Sequence, residues 1–118
     1  MKVFYAVLIS LTMLSCSAYN DVLKGDDFPT KFKLANELHE EGDYDKCIVL
    51  YEQVYQHAPK SAEGEFSYFN MAKSYYEDED YYMAGYFFGS FVQRYPYSLR
   101  SEEIRSEEHT SELQSRIR

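Results

Sequence analysis

The side chains able to do chemistry are few, and their spacing narrows what that chemistry could be. Cysteine stands at positions 16 and 47, histidine at 39, 57 and 109, and four carboxylates run together at Glu77-Asp78-Glu79-Asp80. The cysteines form no C-x-x-C unit and no zinc set with a histidine, so neither a structural disulfide nor a metal site is expected. The acidic run lacks the alternating ligands and glycine of a calcium loop; it and the pair His39-Glu40 read as solvated helix ends. No G-x-S-x-G elbow, H-E-x-x-H helix, phosphate loop or dinucleotide fingerprint occurs. The chain is therefore expected to be non-enzymatic and to need no cofactor. One residue keeps a distinctive context: Cys16 follows Ser15, where a twelve-residue apolar run, Val3 to Leu14, gives way to the polar stretch Ser17-Ala18-Tyr19-Asn20-Asp21.

Twelve apolar residues after the single charge of Lys2 suit the core of a signal peptide. They fall short of the roughly 20 that a membrane-spanning helix needs. A cysteine directly after a small residue at such a boundary resembles a bacterial lipobox. The resemblance implies a diacylglyceryl group on the Cys16 thiol, cleavage before it, and acylation of the new amino terminus. Each buried CH₂ contributes about 0.8 kcal/mol, so two or three acyl chains anchor stably where one would dissociate. Met13 and Leu14 depart from the leucine and small residue that the family prefers there. The residues also fit an ordinary secretory signal cut near Ala18, with Cys16 incidental. Residues 1–15 are the expected lipoprotein signal peptide and 16–27 a lipid-anchored tether, since Asn20, Asp21, Gly25, Asp26 and Asp27 are turn formers in a stretch without apolar periodicity.

From Phe28 to Ser98 the chain is written twice. A shift of 37 residues lays Phe32 on Phe69, Ala35 on Ala72, Asp43-Tyr44 on Asp80-Tyr81, Gln56 on Gln93 and Pro59 on Pro96. In the first copy Phe28, Phe32, Ala35 and Leu38 have helical spacing, and Glu40 to Asp45 break it. A second helix is predicted from about Tyr44 through Tyr55, ending at Ala58-Pro59 because proline cannot donate a backbone bond and restricts its predecessor. The second copy repeats this with Phe69, Ala72 and Tyr75, a turn at Glu77 to Asp80, and a helix from Tyr81 to Tyr95 before Pro96.

These units resemble the tetratricopeptide repeat. The first supplies Leu34, Ala35, Leu38, Cys47, Tyr51, Val54 and Pro59 at the pattern positions; the second supplies Tyr68, Met71, Ala72, Tyr75, Ala84, Phe88, Phe91 and Pro96. The resemblance implies an all-α fold of antiparallel helical hairpins in an α-solenoid, with two repeats at about 28–61 and 65–98 and the start of a third at 99–104. Small residues, Ala35 and Cys47, then Ala72 and Ala84, would sit where paired helices touch. Lys31 stands where an aromatic is typical, and the three residues beyond the usual period of about 34 are assigned to the Lys60 to Gly64 connection. In the family the first helix of each hairpin lines a concave groove. The matching positions are Phe32, Asn36, His39, Phe69, Asn70, Lys73 and Tyr76, expected to be exposed for an extended peptide unless Phe32 and Phe69 pack between units. Asn36 and Asn70 coincide with part of a carboxylate clamp found in some members, but Phe32 replaces its lysine.

A formal charge of -8 argues against nucleic acid, which needs clustered Lys and Arg. No small-molecule substrate is expected either. Aromatic residues make up 18% of the chain, 13 Tyr and 8 Phe without Trp, which suits thick helix packing, a contact surface, or both. After Ser101-Glu102-Glu103-Ile104, the string RSEEHTSELQS resembles over eleven positions the translation of a common short-read sequencing adapter. That implies a natural sequence ending near Ile104 and an artefactual tail over 105–118, with no weight on His109. About three repeats are normally needed for a stable stack, so further native repeats are expected.

The lipobox, the run CSAYNDVLKGDD, the turn GDYDKC and the helix AGYFFGSFVQRYP together resemble the BamD family of outer-membrane protein assembly lipoproteins. The resemblance implies a lipid-anchored scaffold on the periplasmic face of the outer membrane, binding the barrel subunit of the assembly machine and unfolded outer-membrane proteins. Other repeat lipoproteins, which scaffold cell-wall or polysaccharide-export proteins, and the repeat module of a truncated enzyme stay open on the residues alone.

Overall fold

The computed structural model describes residues 3–5 and 17–107. Cys16, His109, most of the expected signal peptide and the tail from 108 onward lie outside the described residues. Every regular element among the described residues is a helix: residues 3–5 are helical, and then come α1 (17–24), α2 (Phe28–Glu41), α3 (Tyr44–His57), α4 (Ala62–Glu77), α5 (Tyr81–Arg94) and α6 (99–107). Among them, none is long and apolar enough to cross a membrane. Helix α2 packs on α3, α3 on α4 and α4 on α5, and α2 also touches α4.

Local chemistry fixes the ends. Asp27 caps α2 by accepting from the Thr30 N–H at 3.2 Å and its hydroxyl at 2.7 Å, with Pro29 in the first turn, where a missing N–H costs nothing. At the other end Gly42 takes the left-handed conformation, φ 82°. Its N–H donates to His39 O, while the Asp43 N–H donates to Leu38 O, closing a Schellman motif. The same motif recurs 37 residues on. Glu79 has φ 65°, its N–H donates to Tyr76 O, and the Asp80 N–H donates to Tyr75 O. Both α3 and α5 stop two residues before a proline, at Ala58 (φ -146°) and Tyr95 (φ -128°), as pre-proline crowding demands.

Two expectations need correction. The supposed irregular tether is helical over 17–24, and Tyr19, Val22 and Leu23 pack against the core. Their spacing puts all three on one face of a short helix, a pattern too brief to stand out beside so many turn-forming residues. The three residues assigned to a longer connection instead build an extra first turn on α4. Ser61 caps that turn by accepting from the Gly64 N–H at 3.0 Å and donating to Ala58 O at 2.7 Å. Gly64 is required there, because a Cβ would lie 2.0 Å from Ala58 O.

The core runs through the successive helices: Ala35, Leu38, Cys47, Ile48, Leu50, Tyr51, Tyr68, Met71, Phe91 and Ile104 are buried together. The small residues predicted at helix contacts are all enclosed, Ala35, Cys47 and Ala72 fully and Ala84 at 2% exposure. Rings fill the grooves beside them. Tyr68 alone contacts Tyr55, Phe87, Phe91 and Tyr95 at centroid distances of 4.6 to 6.4 Å, and its hydroxyl donates to Ser90 at 2.7 Å. Much of the aromatic excess is therefore packing material between α3, α4 and α5.

Candidate functional site

A groove of about 780 Å³ opens between α4, α5 and α6. On α4, Phe69, Lys73 and Tyr76 recur at intervals of four and three, so they share a face. On α5, Tyr81, Ala84, Gly85 and Phe88 do the same, and Glu103, Ile104 and Glu107 of α6 form the far wall. Ala84 and Gly85 keep the floor low. Tyr76 and Tyr81, both more than half exposed, meet edge to face at 5.3 Å. Phe69 packs edgewise on Phe88 at 5.8 Å and Phe91 at 5.5 Å, leaving part of its ring on the groove. Glu65 of α4 holds α6 in place through Ser98 and through Arg100 at 3.7 Å, and the Arg100 guanidinium lies over Phe66 and Phe69. Such a surface can bind by ring contact and apolar burial, with Lys73, Glu103 and Glu107 as the charged residues in its lining.

Only three of the seven predicted groove residues, Phe69, Lys73 and Tyr76, line this groove. Phe32 is half-buried edgewise against Phe66 at 5.6 Å, the packing alternative. Asn36, His39 and Asn70 are corrected from exposed binders to members of a polar seam joining α2 and α3 to α4. The Tyr51 hydroxyl donates to Asn36 Oδ1 at 2.6 Å and accepts from Asn70 Nδ2 at 3.3 Å. Ser74 gives its hydrogen to Asn70 O at 2.7 Å, so its oxygen accepts from His39 Nδ1 at 2.9 Å. Glu77 accepts from the Tyr44 hydroxyl at 2.8 Å and lies 3.7 Å from His39 Nε2. With Asn36 and Asn70 held this way, the carboxylate-clamp positions are occupied by Tyr51.

Cys47 lies against this seam, fully buried, its sulfur 3.3 Å from Ser74 Oγ. Burial pushes its thiol up to about 11, so at neutral pH it is a protonated packing group. The same cause pushes the Tyr51 phenol up to about 12. Among the described residues no group of three or more His, Cys, Asp or Glu side chains is arranged to hold a metal.

Tyr81, Phe88 and the α6 wall were missed by the sequence reading. The repeat register carries the signal that could have found them. Subtracting 37 turns Tyr76, Tyr81, Ala84 and Phe88 into His39, Tyr44, Cys47 and Tyr51, which is the polar seam covered by α4. The groove is thus the next seam along, with α6 in the register that α4 holds one repeat earlier. Compared with protein-family models, curated proteins and solved structures, the chain matches none.

Proposed function

We propose that α2 with α3 and α4 with α5 are two tetratricopeptide-type hairpins of a non-enzymatic, lipid-anchored scaffold. In this reading Cys16 carries the lipid, and the scaffold serves the machinery that assembles β-barrels in the outer membrane, on its periplasmic face. Its partners are the barrel subunit and unfolded outer-membrane protein segments. The observation that carries the reading is the repeated construction, in which the seam of the first unit returns 37 residues on as a groove lined by Phe69, Tyr76, Tyr81 and Phe88. A surface built from Phe69, Tyr76, Tyr81 and Phe88 gives large contact area at small entropic cost, which is what a partner surface needs. The twice-used left-handed turn at Gly42 and Glu79 supports the repeat itself.

Affinity capture of the barrel subunit from detergent-solubilised envelopes tests the partner assignment. Parent chain should retain it, and a Tyr76→Ser/Tyr81→Ser variant, altered at two exposed rings, should lose most of it. Depleting the protein should lower barrel levels in the outer membrane; normal levels would refute the assignment. Lipidation is read separately, since Cys16→Ala should abolish palmitate labelling and membrane partitioning.

A further inference from the structure

The segment after Cys16 is not a loose leash. Lys31 is 2% exposed, and its ammonium donates to Val22 O at 2.9 Å, Leu23 O at 2.8 Å and Gln53 Oε1 at 2.5 Å. All three donors are used, two of them on carbonyls in the last turn of α1, of which Val22 O also accepts from the Gly25 N–H at 3.3 Å. A buried cation without a carboxylate partner is costly unless its hydrogen bonds are complete, and here α1 completes them. This also gives a reason for lysine where the repeat pattern has an aromatic.

The other end of α1 is held too. The Tyr19 hydroxyl reaches Lys46 O at 3.5 Å, and the Lys46 ammonium lies 5.1 Å from the Tyr19 ring. Residue 19 therefore lies beside the first turn of α3, and residues 22 and 23 beside Gln53, about two turns further along. Tyr19, Val22 and Leu23 face the core, while Ser17, Asn20, Asp21 and Lys24 face solvent. That is the construction of a terminal cap on a stacked helical protein, apolar inside and polar outside.

We infer that α1 is a latched strap: Lys31 locks it along α3, so that residue 17 is fixed beside the α2–α3 turn and that end of the molecule faces the lipid surface. The second half rests on the lipoprotein reading, because Cys16 is the residue before α1. The end in question carries Glu40, Glu41, Asp43 and Asp45, with Glu77 tied to it through Tyr44. Anionic headgroups would repel these carboxylates, so the orientation is held by the covalent anchor and the latch rather than by charge.

Two experiments separate the halves. For the strap, nitroxides at Asn20→Cys and Glu63→Cys in the full chain with Cys16→Ser should give one narrow distance, which Lys31→Met should broaden. A Val22→Ser/Leu23→Ser variant should broaden it as well while preserving the helical signal of α2 to α5, which keeps the test decisive if Lys31→Met fails to fold. A broad distribution in the parent, or a narrow one in both variants, overturns the strap. For the orientation, a bulky polyethylene-glycol maleimide applied to membranes bearing the otherwise native chain should modify Asp45→Cys several-fold more slowly than Glu63→Cys at the opposite end. Equal rates on membrane-bound protein overturn the orientation. A chain found wholly in the soluble fraction, or a reactive Cys16 in the parent, overturns the lipid reading and with it the orientation, while the spin-label distances still decide the strap.

Discussion

Gly42 and Glu79 occupy the same place in successive units, both in the left-handed region, and only one of them is the residue that conformation favours. Opposite substitutions should therefore have opposite signs. For Gly42→Ala the added Cβ meets nothing within 4 Å, so the cost is conformational alone. A left-handed residue with a Cβ costs about 1–2 kcal/mol, and the stiffer unfolded chain returns about 0.4–1 kcal/mol. A net loss of about 0.5–1 kcal/mol remains. Glu79→Gly runs the arithmetic backwards and should stabilise by about the same amount, since the exposed Glu79 gives up strain and no enclosed contact. In a domain of this size 1 kcal/mol moves Tm by about 4–8 °C, so both shifts are measurable. Urea titrations of the two variants should show midpoints displaced in opposite directions with unchanged slope. A neutral Gly42→Ala, or a Glu79→Gly that destabilises, would refute the shared turn geometry and weaken the repeat built on it.

Gly64→Ala should destabilise near the top of the range of about 1–3 kcal/mol for overpacking, because its Cβ meets the backbone of Ala58 and Pro59; Gly85→Ala, open on all sides, should be neutral or stabilising in the same thermal melts. Tyr51→Phe leaves Asn70 without an acceptor in a buried seam and should cost about 1–3 kcal/mol by denaturant titration, with equal stability counting against the seam. Ser67 is fully buried, and its hydroxyl finds no hydrogen-bond partner among the described residues, so Ser67→Ala should hold or raise Tm, and a marked loss would reveal an unseen partner. Burial raises the Cys47 and Tyr51 values, to about 11 and about 12, so each favours the folded state fully below its ordinary value and loses that contribution as pH rises through the folded one. Stability should therefore decline from about pH 9 toward 12, and a disulfide reagent should reach Cys47 only on unfolding; fast reaction in the native state would contradict its burial.

Helix positions and turn positions were legible because they depend on local rules. Proline at 59 and 96 stops a helix wherever it falls, and Gly42 ends one because glycine takes a left-handed φ without strain. The direction in which a polar side chain is used was not legible, because that depends on what arrives across the interface. Asn36 and His39 share a helical face with exposed residues, and nothing within α2 says that Tyr51 and Ser74 will meet them. Lys31 looked like a flaw in the first unit for the same reason. Its acceptors belong to a segment whose turn-forming residues hid three apolar ones on a single face.

The groove follows from the repeat rather than from any one residue. Where α4 covers the first unit, His39, Tyr44, Cys47 and Tyr51 meet Ser74, Glu77 and Asn70, a polar match that fixes register. The corresponding residues of the second unit are Tyr76, Tyr81, Ala84 and Phe88, so histidine, cysteine and one phenol have given way to groups that bind mainly by area. A face that swaps directional hydrogen bonds for rings over a glycine and alanine floor relaxes its demand for one partner geometry while keeping its appetite for apolar surface. In the proposed reading, that change of chemistry at an equivalent position suits the second face to a partner. It is testable by exchange. Installing the seam's groups as Tyr76→His/Ala84→Cys/Phe88→Tyr should leave the helical fold intact and weaken capture of the barrel subunit, and undiminished capture would show that the rings do not carry the contact.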